Sequence, residues 1–585
     1  MSFRDRRFRR MSGNCEAAVP FISNRVVGWL WGLGLIVASF QIAAEAPKFE
    51  QFFPAGGARG TTNSLLAVGK FEPWPVDVWI DSPGVMFRPE KEAGKFNVEI
   101  APDAALGVRL VRFSNKEGAT ELRFFVVTAR REVPESEPND DWTRAQPVPA
   151  LPATLNGRLE KNGDVDSFAV TLEAGQWLVA SLDAYRLASP MDGLLRILDA
   201  TGRQVAFNHD ARSLDPFLAW KAVSPGTYTV QLMAFPHPAT ASVNFAGGGA
   251  YVYRLALTTG PFASHTMPLA TRVGQRQELQ AFGWNFPGGA SSILVDFDAP
   301  KSLATDGECW VESGAFLSPI RAGLSEDPQI LEAALKNDAS GVRDVTVPCG
   351  ISGCVSVPGE EDRYRFNAKK GSRIEFVARS GWFGFPLDSS LRVLDGQGKE
   401  LARDDDGGGW GDPRIDWTVP AEGDYTAVLG SLTGRGGGDF LYHLSIGTPK
   451  PSVRATVADN TFSIVAGKTN EIKVIIERRN GFECPYVLQA TGLPEGLGAT
   501  PVEVGEKAKE AVMRLTAPEG ATLWNGSFAL VLRPPSGPEI QVVDELISTS
   551  VNNGVPGGFL DLVIPETPHL WLSVLPKPVE APPKK

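Results

Sequence analysis

GDVDSFAVTLEAGQWLVASL (163–182), MDGLLRILDATGRQVAFNHD (191–210) and SPGTYTVQL (224–232) return later in the chain. The later forms are EEDRYRFNAKKGSRIEFVA (360–378), LDSSLRVLDGQGKELARDDD (387–406) and AEGDYTAVL (421–429). Asp166 answers to Asp362, Asp192 to Asp388 and Asp199 to Asp395, each 196 residues on, and Tyr228 answers to Tyr425 at 197. A spacing kept across three separate segments marks a duplicated domain, since chance likeness does not hold register through intervening loops. The physics of each copy is β. LLRILD and SLRVLD place apolar residues at alternate positions, and Asp-x-x-Gly then makes a turn into the next strand. Several such runs in about 100 residues predict a two-sheet sandwich.

A weaker repeat precedes each copy. FFPAGGARGTTNSLLAVGKFEP, from Phe52, resembles TMPLATRVGQRQELQAFGWNFP, from Thr266, with Pro54, Gly60 and Gly69 answering to Pro268, Gly274 and Gly283 at a spacing of 214. The unit of duplication is thus a small Ig-like β domain followed by a larger sandwich. The expected fold class is all-β, with Ig-like modules at 47–130 and 259–344 and larger sandwiches at 131–258 and 345–449. A last Ig-like region follows at 450–575, then a Pro/Lys tail at 576–585 too poor in apolar residues to order itself.

Composition agrees. Gly (61) and Pro (45) are spread along the 585 residues, as many short strands joined by turns require. The net charge of −11 and the lack of a Lys/Arg cluster past the N-terminus argue against a nucleic-acid partner. At the N-terminus, Arg4, Arg6, Arg7, Arg9, Arg10 and Arg25 precede the uncharged run Val26–Ala44. That is the layout of a secretory signal, and residues 1–46 read as a signal peptide or an uncleaved membrane anchor helix. In either case the rest of the chain is expected outside the cytoplasm, with membrane contact only through this segment. Cys349 and Cys354, in CGISGC, are candidates for a disulfide across a short hairpin; Cys309 is the competing partner, and buried free thiols the alternative.

For chemistry, the five histidines (His209, His237, His265, His443, His569) are scattered, and neither an HExxH nor a GxSxG stretch occurs. No catalytic residue is assigned and an enzyme is not expected. Metal binding is the better candidate. Glu135, Glu137, Asn139 and Asp140 cluster ahead of the first sandwich, and Asp164 and Asp166 follow in GDVDSF; calcium takes six to eight oxygens from such a set. The alternative is a solvated acidic linker. Asp404, Asp405, Asp406 and Asp412, in RDDDGGGWGDP, form a second acidic loop, either a cation loop or a charged hairpin end. Trp382 and Trp410, beside Gly-rich turns, are candidate ligand contacts, since exposed aromatics stack on sugars or pack on a protein partner.

The duplicated segments resemble bacterial pre-peptidase C-terminal (PPC) domains. The likeness rests on ESEPNDDWTRAQPV (135–148), GDVDSF, SPMDGLLRILDATG and PGTYTV in the first copy. In the second it rests on EDRYRF, PLDSSLRVLDGQG, RDDDGGGWGDP and EGDYTA, without an EPND lead-in. The resemblance implies jelly-roll-like sandwiches of exported proteins that bind a substrate or surface, or assist secretion; no peptidase domain accompanies them here. In the PPC-type modules of secreted collagenases an acidic lead-in of this kind binds calcium, and Glu135, Glu137, Asn139 and Asp140 match it in order. The functional expectation is an exported, non-catalytic protein that binds a protein or an extracellular or cell-envelope polymer, with calcium as the cofactor that stabilises its first sandwich. The alternatives are a secreted hydrolase with an unrecognised carboxylate pair, or a purely structural stalk.

Overall fold

The computed structural model describes residues 45–241, 243–302, 307–316, 319–408, 411–546, 562–564 and 566–577. The expected signal or anchor segment lies outside the described residues except for Glu45 and Ala46, as does most of the tail. The described chain is built of strands joined by turns, with only three-residue 3-10 turns besides, so the all-β expectation holds. Among the described residues no helix is long and apolar enough to cross a membrane.

The two larger sandwiches share one topology. In the first, one sheet runs Arg131–Pro134, Ala153–Arg158, Val252–Thr258, Trp177–Asp183, Phe217–Lys221. The other runs Gln146–Pro147, Asp166–Leu172, Gly226–Pro236, Met191–Leu198, Gln204–Asn208. The second sandwich repeats this order strand for strand. Its sheets are Gln329–Leu331, Cys349–Cys354, Leu441–Gly447, Arg373–Arg379, Arg414–Thr418, and Val342–Asp344, Glu361–Ala368, Gly423–Ser431, Ser389–Asp395, Glu400–Asp404. In both copies the alternating side chains of facing strands fill one core, for example Phe168, Leu195 and Val230 in the first and Phe366, Leu391 and Ala427 in the second. The lead-in strands of the second copy lie at 329–344, upstream of the boundary at 345 that the repeat alone suggests. Glu135 and Gln146 are as far apart as Glu332 and Arg343, so the lead-ins align although their sequences have diverged.

The smaller modules are also related. Lys48–Phe53 pairs antiparallel with Thr62–Lys70, and Phe262–Met267 with Arg276–Trp284 in the same way. Phe49 sits opposite Gly69 and Ala263 opposite Gly283, with a bulge at the same next step in each. A Cβ on Gly69 or Gly283 would meet a carbonyl oxygen of the facing strand at 2.1 or 1.9 Å, which explains why both copies keep glycine there. Among the described residues, the 262–325 module shows three strands per sheet, without the outer strands of its larger counterpart. The described residues of the last region, from Ser452, form one eleven-stranded sheet folded round a single core.

This last module packs on the first. Arg112, 1% exposed, donates to Thr120 O at 2.9 Å within its own module and to Asn460 Oδ1 and Thr461 Oγ1 of the last. Its guanidinium lies 5.6 Å from the Trp571 ring, and Trp79 meets Trp571 edge-on at 6.1 Å. Asn525 donates to Asn115 O at 2.9 Å beside them.

Candidate metal centre

In the first sandwich the Asp166–Leu172 strand carries Asp166 inward at its first residue, and the turn before it presents Asp164. The lead-in then folds over them. Glu135 Oε2 accepts the Arg158 N–H at 2.8 Å, and Asn139 donates its side-chain N–H to Glu135 Oε1 at 3.2 Å and its backbone N–H to Glu137 Oε2 at 3.0 Å. Tyr253 donates its hydroxyl to Asp166 Oδ2 at 2.6 Å and lies 3.1 Å from Glu135 Oε1. Gly157 makes room for that hydroxyl: a Cβ there would lie 2.1 Å from it. Gly353 does the same for Tyr442 in the second copy, at 2.4 Å.

Two sets of carboxylates result, sharing one member. Glu135, Glu137 and Asp166 bring oxygens within 4.8 Å of one another, and so do Glu137, Asp140 and Asp164. Asn139, Asp164 and Asp166 are almost wholly buried. Yet Asn139 Oδ1, Asp164 Oδ1 and Asp166 Oδ1 accept no hydrogen bond among the described residues. Lys161 Nζ is 3.4 Å from Asp164 Oδ1 and 3.2 Å from Asp140 Oδ2, but its side chain is 64% exposed. Buried oxygens without donors are costly, and so are crowded like charges. Burial and then the Glu135 charge push the Asp166 carboxyl up to about 11; burial, then hydrogen bonding with Asp140, raises Asp164; burial raises Glu137. The donors are all oxygen, with no His or Cys, which suits a hard cation.

The second copy keeps the frame and changes the contents. Glu332 Oε2 accepts the Cys354 N–H at 3.0 Å, as Glu135 accepts that of Arg158, and Tyr442 donates to Asp362 Oδ2 at 2.8 Å, as Tyr253 does to Asp166. Glu360 caps the turn as Asp164 does, accepting from Ser356 and Val357. Asp338 repeats the turn of Asp141, each accepting the N–H two residues on. Between these fixed points, Glu137, Asn139 and Asp140 are replaced by Ala334, Lys336 and Asn337, and Gln146 by Arg343. Arg343 lies 2.6 Å from Glu332 and 3.1 Å from Asp362.

Several other sequence-stated candidates lie elsewhere than expected. Asp412 is no loop ligand: 2% exposed, it accepts the backbone N–H groups of Ser380, Gly381 and Trp382 at 2.8 to 3.0 Å. Asp215 does the same for Ala184, Tyr185 and Arg186 in the first copy, so this acid pins a turn common to both. Asp404 accepts from the Gly407 and Arg414 N–H groups at 2.8 Å. Asp405 and Asp406 face Asp388, whose carboxyl is raised by burial and then by their charges. Their counterparts in the first copy, Asp192, His209 and Asp210, also converge, with His209 Nε2 3.0 Å from Asp192 and Nδ1 3.2 Å from Asp210.

Trp382 is not an exposed ligand contact. It is 8% exposed, with the guanidinium groups of Arg321 and Arg379 over its ring at 4.2 and 4.7 Å. Trp410 lies outside the described residues. Cys349 and Cys354 stand at the two ends of one strand, not across a hairpin, and both are free. Five residues of extended chain separate their Cα atoms by roughly 16 Å. A disulfide spans at most about 7 Å between Cα atoms. Cys309 is free as well, buried in the third module.

A curated relative, a probable subtilase-type serine protease of Deinococcus radiodurans, is 33% identical over 98 residues; the match spans 16% of this chain and 14% of that one. A solved pre-peptidase C-terminal domain of collagenase from Bacillus anthracis aligns with 19% of this chain and 99% of its own, at 17% identity and a TM-score of 0.16. PliG, a periplasmic lysozyme inhibitor from Aeromonas hydrophila, aligns with 18% of this chain and 96% of its own, at 17% identity and a TM-score of 0.15. At such scores these structures add nothing to the strand pairing already described. The sequence profile of the bacterial pre-peptidase C-terminal domain matches residues 360–431, inside the second sandwich, so the chain carries a PPC domain there.

Proposed function

We propose that this is an exported, non-catalytic binding or scaffold protein whose first sandwich is set by calcium. The observation that carries the calcium reading is the group of buried oxygens, on Asn139, Asp164 and Asp166, that face a five-carboxylate cluster without donors. Two cation positions sharing Glu137 account for that arrangement. Glu135 and Asp166 would hold one ion and Asp140 and Asp164 the other; Lys161 then turns to solvent. The cation would tie the lead-in to the sandwich, joining residues 135–140 to 164–166. The arginine-rich segment ahead of the uncharged run Val26–Ala44 supports export, and the modular β architecture supports a binding role toward a protein or an envelope or extracellular polymer.

The test uses the full chain. Hydrogen exchange and thermal melting are measured in calcium and in EGTA. A native-state ligand at a hundredfold excess over its Kd adds about 2.7 kcal/mol. Slower exchange over 131–172 in calcium is expected, and an unchanged profile refutes the calcium reading. Capture of a defined envelope polymer, greater in calcium than in EGTA, tests the binding role; no retention on any protein or polymer matrix counts against it.

A further inference from the structure

We infer that Arg343 is the second sandwich's own cation: its guanidinium stands where the first sandwich uses a free metal ion, and makes the second copy independent of metal. This rests on the calcium reading of the first site, and adds to it a reason for the difference between the copies.

The argument is a residue-by-residue comparison within one molecule. The frame is common: Glu135 and Glu332 accept equivalent backbone N–H groups, Asp166 and Asp362 accept equivalent tyrosine hydroxyls, and a glycine admits each tyrosine. Gln146 and Arg343 occupy the same register, opposite Phe168 and Tyr364 on the neighbouring strand. Gln146 turns its amide back to the lead-in, accepting from Ser136 N–H at 2.7 Å and donating to Pro134 O at 2.9 Å, which leaves the carboxylates open. Arg343 instead reaches across them and satisfies both, Glu332 through one terminal nitrogen and Asp362 through the other. It is only 14% exposed, as are Glu332 at 12% and Asp362 at 1%. A planar, always-charged guanidinium suits two fixed carboxylates better than a flexible ammonium. The charges agree. The first site gathers Glu135, Glu137, Asp140, Asp164 and Asp166 against one exposed lysine, whereas the second has lost Glu137 and Asp140 to Ala334 and Asn337 and gained Arg343. Tyr364, where the first copy has Phe168, adds a hydroxyl 2.5 Å from that of Tyr442 and closes the network.

The experiment is hydrogen exchange on the full chain, read separately in peptides from 131–258 and 329–447, for wild type, R343Q and R343K, in EGTA and in millimolar calcium. R343Q installs the residue the first copy has. Leaving buried carboxylates without their partner is expected to speed exchange in 329–447 by about a hundredfold in EGTA. Calcium, without effect on this region in wild type, is expected to restore part of the protection in R343Q. R343K, which keeps the charge, is expected to lose less than R343Q. Calcium-dependent protection of 329–447 in wild type would overturn the inference, as would equal losses in R343Q and R343K that calcium does not mend. Should R343Q not fold, the wild-type comparison and R343K still decide. If calcium leaves 131–258 unchanged, the first-site reading fails by itself, while the charge dependence at Arg343 is read in EGTA and stands apart from it.

Discussion

Asp166→Asn should make the metal-free protein more stable at pH 7 and abolish its response to calcium. Asp166 is fully buried, with one oxygen on Tyr253 and the other unpartnered. Burial and the neighbouring Glu135 hold its proton to about pH 11 in the folded chain. In the unfolded chain it ionises near 3.9. A carboxyl raised on folding contributes stability that is complete below pH ~4 and is lost as pH rises toward the folded value. At about 1.4 kcal/mol per pH unit, the roughly three units between 3.9 and 7 remove about 4 kcal/mol from the metal-free sandwich. Any folded value well above 7 gives the same figure at pH 7. Asparagine has nearly the same shape and no proton to hold, so it escapes this loss. A weaker hydrogen bond from Tyr253 returns about 1 kcal/mol, leaving a gain near 3 kcal/mol. With calcium the order reverses, since the wild type exchanges a proton for a cation and the variant lacks the ligand. Exchange of amides in 166–172, in EGTA at pH 5 and 7 and again in calcium, reads all three effects. If D166N is less stable than wild type in EGTA at pH 7, or keeps a calcium shift, the reasoning is wrong.

Three further outcomes follow from the packing. Native alkylation should leave Cys349 and Cys309 untouched, because burial pushes their thiols up to about 12 and 11; under non-reducing conditions mass mapping should find no Cys349–Cys354 link. Gly157→Ala should displace the Tyr253 hydroxyl and cost about 1–3 kcal/mol of overpacking, with loss of calcium protection over 131–172 as the readout. Arg112→Ala should part the first and last modules by emptying their shared joint, seen as an increased radius of gyration in solution scattering; an unchanged radius would show that Arg112 does not hold them together.

The duplication, the strand character of each copy and the correspondence of the smaller modules were legible because strand alternation and turn glycines leave a period-two trace that survives divergence. The bulge after Phe49 and Ala263, and the glycines opposite them, lie in segments whose likeness shows in sequence. The second copy's lead-in did not show, because its site changed chemistry: LEAALKND has none of the acids of ESEPNDD beyond Glu332 and Asp338, and only the shared hydrogen bonds align them. CGISGC misled for a related reason. Its glycines invite a turn, but Gly353 serves to admit the Tyr442 hydroxyl, so the segment runs straight and carries its cysteines apart. Trp382 and Asp412 fall near glycine-rich stretches that suggest exposure, and sequence alone does not reveal the arginines and backbone amides that cover them. Tyr253 and Tyr442 were missed because no local motif surrounds them; their match at equivalent strand positions is the signal that finds them.

A stalk of tandem modules keeps its ends apart, and the joint at Arg112 is at odds with that use of this chain. Burying a guanidinium lowers its affinity for a proton, here to about 10, and the partners it touches (Thr120 O, Asn460 and Thr461) are neutral. Burial is the larger effect, and the charges of Glu121, Asp459 and Asp544 nearby offset part of it. Its aromatic cover comes from Trp571 of the last module, which Trp79 of the first meets edge-on. The joint therefore joins residues of both modules around one buried guanidinium. With the first and last modules held together, the two sandwiches between them are constrained from both ends. On the proposed reading a cation would tie the first lead-in down as Arg343 ties the second, which leaves the first lead-in as the adjustable element.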